Sequence, residues 1–196
     1  MINAREAGYA LFGAWQLAKF DENGMHFFKN TQAAFWRSFS AAIIVLPAYA
    51  ILVLLKLADQ PVPAAPFTVF VVQSIAYVVG WVAFPLAMYY VTRFASREQW
   101  FYRYMVAYNW AVVLQVILFL TITSIADSGL VPPGVGAMFS LAAAVAIMAY
   151  QWFIARVGLE VSAPGAIGIV FLDMVISLLL SGYTDMLLAG RGLLSS

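Results

Sequence analysis

The sequence predicts an all-α membrane protein, a polytopic bundle of five transmembrane helices with an N-terminal amphipathic helix, N-terminus inside and C-terminus outside. Three observations carry that reading. Of the 196 residues, 64% are hydrophobic and only 10% are charged, where a soluble domain carries about 25% charged residues. The charges leave long gaps at 38–55, 60–92, 104–126 and 128–155, and only Asp173 and Asp185 interrupt 161–190. Runs such as Ile43-Ile44-Val45-Leu46 and Leu178-Leu179-Leu180 contradict the alternating polarity of a membrane β-barrel. An apolar helix needs about 20 residues to cross a hydrocarbon core of ~30 Å, and backbone groups in lipid must satisfy one another within the segment.

The same composition removes whole classes of function. Ten basic and nine acidic side chains are too few to cover a soluble globule of this size. A net charge of +1 supplies no field that would draw in a polyanion, so no nucleic-acid partner is expected. Cysteine is absent and His26 is the single histidine, which excludes disulfides, thiolate zinc sites and histidine pairs. No Gly-x-Ser-x-Gly, His-Glu-x-x-His, Walker A or Gly-x-Gly-x-x-Gly sequence occurs, so neither enzyme, cofactor nor metal site is expected.

Residues 1–37 read as a cytoplasmic amphipathic or interfacial region and 38–196 as the five-helix domain. Ala4, Ala7, Leu11, Ala14, Trp15 and Ala18 share one helical face, and Arg5, Gln16 and Lys19 another. Asp21-Glu22-Asn23-Gly24 ends that pattern. No apolar stretch follows the first charges, so the segment does not read as a signal peptide. It lies either in the headgroup region, anchored by Trp15, or on the loops of its own bundle. His26, between Met25 and Phe27, reads as an interfacial side chain.

The five spans fall near 38–58, 67–92, 104–126, 135–155 and 165–186. Pro61, Pro63 and Pro66 break the chain between the first two, and Asp127-Ser128-Gly129 with Pro132-Pro133-Gly134 turns it between the third and fourth. Ser162 is placed to cap the fifth helix, with Pro164 in its first turn. Pro47 and Pro85 lie inside spans, as membrane helices allow. No inverted internal repeat of the kind found in many secondary transporters is visible. Eight of the ten basic residues, Arg5, Lys19, Lys29, Arg37, Arg93, Arg97, Arg103 and Arg156, fall on one side, leaving Lys56 and Arg191 on the other. The positive-inside rule makes the first side cytoplasmic. Trp36, Tyr89, Tyr90, Trp100 and Trp152 sit where interfacial anchors belong.

Asp173 is the most informative position for function. It lies near the middle of the fifth span, where a charged carboxylate costs about 2.5–3.5 kcal/mol on insertion scales. Ser177, Ser181 and Asp185 follow at intervals of four, drawing a polar stripe that must face protein or water. Three roles fit: a protonatable or cation-binding site in a conduction path, a buried structural acid, or a subunit interface at which Ser177-x₃-Ser181 lets helices approach. Gln73 and Tyr77 in the second span, and Asn109 and Gln115 in the third, are the candidate polar partners. Arg93, Arg97, Trp100 and Arg103 form a basic and aromatic belt at the start of the third span. Gly136, Ser140 and Ala144 give the fourth span a small-residue packing face.

The layout resembles the Yip1-type membrane proteins, including their bacterial relatives. The likeness rests on five spans, on Phe101-Tyr102-Arg103-Tyr104-Met105-Val106-Ala107-Tyr108-Asn109-Trp110 and on Val157-Gly158-Leu159-Glu160-Val161-Ser162-Ala163-Pro164. The resemblance implies a bacterial inner membrane. Eukaryotic members are associated with trafficking and small GTPases, but their Asp-Leu-Tyr-Gly-Pro motif is missing here. The expected function is therefore a non-enzymatic membrane protein that organises or assists other membrane components through its helix faces. Its partners would be the lipid bilayer and a second copy or another membrane protein. The alternative is a small ion- or proton-coupled permease using Asp173.

Overall fold

A computed structural model describes residues 4–59, 62–127 and 131–190; the readings placed on Gln60, Pro61, Ser128, Gly129 and Arg191 lie outside the described residues. The regular elements described are all helical. They are α1 (Ala4–Ala18), α2 (Gln32–Ser38), α3 (Ser40–Asp59), α4 (Pro66–Phe94), α5 (Phe101–Asp127), α6 (Pro133–Leu159) and α7 (Ala163–Leu188), with 3-10 turns at Glu22–Phe27 and Glu98–Trp100. Among the described residues, five helical segments are long and apolar enough to cross a membrane: 32–59, 66–94, 98–126, 134–159 and 163–188. The protein is thus a helical bundle of membrane-spanning type.

Local chemistry explains the boundaries. Thr31 caps α2 by accepting from the Ala34 amide, and Ser162 caps α7 by accepting from the Gly165 amide at 3.3 Å, as its position predicts. Pro66 opens α4 and Pro164 stands in the first turn of α7, where a missing N–H costs nothing. Pro47 and Pro85 lie inside α3 and α4 without ending either helix. Several helices overrun the spans read from the charge gaps, because basic residues at the ends are accommodated on aromatic rings. The Arg103 guanidinium lies 4.2 Å from the centre of the Trp100 ring and that of Arg156 lies 5.4 Å from the Trp152 ring, so both stay helical at the margin of the apolar zone.

At the centre of the bundle is α5, which packs along α6 on one flank and against α3 on another. Along α6 the small-residue face meets α5 closely: a Cβ added at Gly136 would stand 3.1 Å from the Ala126 Cβ. Packing then continues from α6 to α7 and from α7 to α4. Buried apolar side chains gather toward the end that carries Arg93, Arg103 and Arg156, here termed the basic end. Phe84, Met88, Tyr104, Met105, Trp110, Ile154 and Leu159 form that core. Among the described residues the far half contains only isolated buried residues such as Ala143, Thr184 and Leu188.

Helix α1 lies across α5 and α6 at the basic end and packs on the Glu22–Phe27 turn as well. It buries Ala10, Ala14 and Leu17, and turns Tyr9, Phe12 and Trp15 outward. Trp15 therefore leaves the face on which spacing groups it with Ala14, since neighbouring helix positions are about 100° apart. The Tyr150 hydroxyl donates to the Ala14 carbonyl at 2.7 Å. Gly13 and Gly24 let α1 and the Glu22–Phe27 turn touch backbone to backbone: a Cβ on Gly24 would stand 2.7 Å from the Gly13 carbonyl oxygen. His26 is exposed on that turn.

Candidate functional site: a cleft between the spans

Helical spacing brings polar side chains from four spans to one place. Ser177, Ser181 and Asp185 on α7, Tyr49 and Lys56 on α3, Gln73, Tyr77 and Trp81 on α4, and Tyr108 and Asn109 on α5 line a cavity of about 1060 Å³. It runs from Tyr108 and Pro85 to the helix ends at Lys56, Asp59 and Asp185. Tyr108 and Thr123, both on its wall, are about 22 Å apart along α5 at 1.5 Å per residue. At the basic end the packed core closes it.

Polar contacts at three places organise the cleft. At its far end the Lys56 ammonium donates to Asp185 Oδ1 at 2.6 Å, with both side chains about half exposed. On the wall, Tyr49 donates to Gln73 Oε1 at 2.9 Å and Tyr77 donates to the Ala42 carbonyl. With ring centres 4.6 Å apart, Tyr49 and Tyr77 join α3 to α4. At the inner end the Tyr108 hydroxyl donates to Asp173 Oδ1 at 2.9 Å, and Gln151 Nε2 donates to Oδ2 at 3.0 Å. Gln151 Nε2 also stands 3.4 Å from Gln115 Oε1.

Asp173 is only 8% exposed, and it has no salt bridge among the described residues. Its two oxygens are met by uncharged donors. A tyrosine hydroxyl is both donor and acceptor, so the Tyr108 contact can persist whether the carboxyl group is ionised or protonated. Protonated, Asp173 can donate to the phenolic oxygen. Ionised, it accepts from the same group. The arrangement therefore tolerates a change of charge on Asp173 without loss of its contacts, and Tyr108 links it to the open cleft.

The sequence candidates are distributed unevenly around this site. Ser177, Ser181 and Asp185 line the cleft and Asp173 sits behind Tyr108, so the stripe faces a cavity and protein rather than a neighbouring helix packed at close range. The partners of Asp173 differ from the four proposed by spacing. Gln73 and Tyr77 bond across to α3, Asn109 donates to Ser38 Oγ at 2.8 Å, and Gln115 reaches Asp173 only through Gln151. The rotation of each helix about its axis decides this, and spacing within one helix does not reveal it. Tyr108 carries no signal of its own, standing among Phe101, Tyr102 and Tyr104 at the aromatic-rich start of the third span. Gln151 carried a usable signal, as the lone amide side chain of the fourth span.

The basic belt lies apart from the cleft. Arg93 bonds to Tyr89 at 3.0 Å, and Arg97 begins the short turn before α5. Arg103 is the most constrained member. Beyond its stacking on Trp100, it donates to the Gly158 carbonyl at 3.1 Å and meets Glu160 at 3.5 Å, which clamps α5 to the α6–α7 junction. No group of three or more potential metal ligands occurs among the described residues. No protein-family model matches the chain, and neither a curated protein nor a solved structure matches it.

Proposed function

We propose that this chain is a small ion- or proton-coupled permease in which Asp173 is the coupling group and the cleft is the access path. One observation carries the reading: a cavity with polar side chains from four spans on its wall reaches to within one hydrogen bond of a carboxylate near the middle of the bundle. Asp173 follows ten residues after Ala163 in a helix of 26 residues, about 15 Å along it. Intramembrane acids at such depth serve ion and proton paths as a rule. A cleft closed at one end fits one state of an alternating-access cycle. The organising role expected first relies on helix faces, and Ser177 and Ser181, for which a subunit interface is one of three roles that fit, line the cleft, which is why the permease reading is preferred.

The orientation belongs to the same proposal. The N-terminus and the basic end would be cytoplasmic by the positive-inside rule, and the cleft would open outward. A bacterial inner membrane and kinship with Yip1-type proteins follow from the resemblance at Phe101–Trp110 and Val157–Pro164 and are proposed with it. The test is flux in vesicles reconstituted with the purified chain. Wild-type vesicles should pass protons or monovalent cations in a pH- or voltage-dependent way. Asp173→Asn should fold with the same thermal stability and lose that flux. Wild-type vesicles that pass none of these ions would overturn the reading.

A further inference from the structure

The cleft also constrains what can occupy it. Its volume, about 1060 Å³, stands at the upper end of drug-sized ligand sites, which run to roughly 1,000 Å³, and far exceeds what a bare ion fills. Its wall carries partly exposed aromatic rings at Tyr49, Tyr77, Trp81 and Tyr108. Tyr77 and Trp81 have ring centres 6.2 Å apart and stand one helical turn from each other on α4. Aromatic faces attract cations and offer nothing to anions.

The charge of the site points the same way. Among the described residues Lys56 is the one cation that lines the cleft, and it is engaged by Asp185. Asp59 lines the same end and has no ion-pair partner among the described residues. Asp173 stands behind Tyr108. An anion entering the cleft would thus meet carboxylates and ring faces, with no unengaged cation among the described lining residues to receive it. A bulky cation would find aromatic surface for its apolar body and carboxyl groups at both ends of the path.

Resting on the permease reading, we propose that the cleft binds a monovalent organic cation with an apolar body as the transported or coupling substrate. The aromatic wall and the net acidic lining select the charge, and the width of the cavity selects the bulk.

The full-length protein in lipid nanodiscs, titrated with tetraphenylphosphonium and with its anionic isostere tetraphenylborate, tests this. Binding displaceable by excess unlabelled probe is measured against empty nanodiscs. Tetraphenylphosphonium should bind saturably and at least about tenfold more tightly than tetraphenylborate, with Trp81→Leu weakening it by about tenfold. Asp59→Asn, at an exposed helix end, should weaken it by a smaller factor while leaving folding unchanged. Equal or tighter saturable binding of tetraphenylborate would overturn the proposal, as would binding that Trp81→Leu and Asp59→Asn leave unmoved. If neither probe binds while proton flux still depends on Asp173, the substrate class falls and the permease reading stands. If that flux is also absent, both fall.

Discussion

The basic half and the far half of this bundle use their apolar side chains in different ways. At the basic end α1, α2 and the Glu22–Phe27 turn wrap α5 and α6, and aromatic side chains such as Tyr104 and Trp110 are almost wholly enclosed. In the far half α3 and α4 touch through the Tyr49 and Tyr77 side chains, and four helices stand around a cavity. Apolar area lost to neighbours at the basic end adds packing contacts beyond those that lipid could supply. The difference teaches that stability and access are separated along the bundle axis, with Tyr108 and Asp173 at the boundary.

Deleting one large side chain from each half gives the strongest contrast. Trp110→Ala, at a position only 2% exposed, should cost about 3–5 kcal/mol. Phe119→Ala, on the cleft wall and well exposed, should stay within about 0.5 kcal/mol. Thermal unfolding in detergent measures both, and equal losses would erase the distinction between the halves.

Glycine substitutions sharpen it. A Cβ on Gly13 would stand 2.6 Å from the Phe27 Cβ, so Gly13→Ala should destabilise by about 1–3 kcal/mol through overpacking. Gly168 and Gly182 on α7 have nothing within 4 Å of such a Cβ. Alanine there should be neutral or stabilising by up to about 1 kcal/mol, from helix propensity alone. The same thermal assay reads these differences.

At the boundary, Tyr108→Phe removes the hydroxyl that bonds Asp173 and keeps the ring, which stands 4.5 Å from Phe84. It should lower stability by about 1–3 kcal/mol and reduce flux in the vesicle assay. Unchanged flux would detach the cleft from Asp173. The smallest effect is expected at the open end. Lys56→Met breaks the half-exposed pair with Asp185 and should change stability by about 1 kcal/mol or less.

Much of this architecture was legible in the sequence because a charge in hydrocarbon is expensive. The gaps at 60–92 and 104–126 locate α4 and α5, and the acid inside the last span marks Asp173. The ends were less legible, since Arg103 and Arg156 tolerate the margin by lying on Trp100 and Trp152. The site was legible on α7 and largely hidden elsewhere. Spacing along α7 places Ser177 and Ser181 on one face, but small residues read equally well as a packing surface or as a cavity wall. Which one they form depends on how α3 and α4 stand across from them, and that is a property of packing between helices far apart in sequence. The pairing of Asp173 with Tyr108 and Gln151 was hidden for the same reason.

The central claim is that water and cations reach Tyr108 through the far half. The chain contains no cysteine, so a single introduced thiol reports its surroundings without background. Ser177 faces the cleft, whereas Leu178 is 63% exposed and does not line it. In intact vesicles of known orientation, a cationic methanethiosulfonate should modify Ser177→Cys from the Lys56 side, faster than its anionic counterpart, and should leave Leu178→Cys unreacted. Equal reactivity of the two thiols, or labelling of Ser177→Cys only from the basic side, would contradict the account.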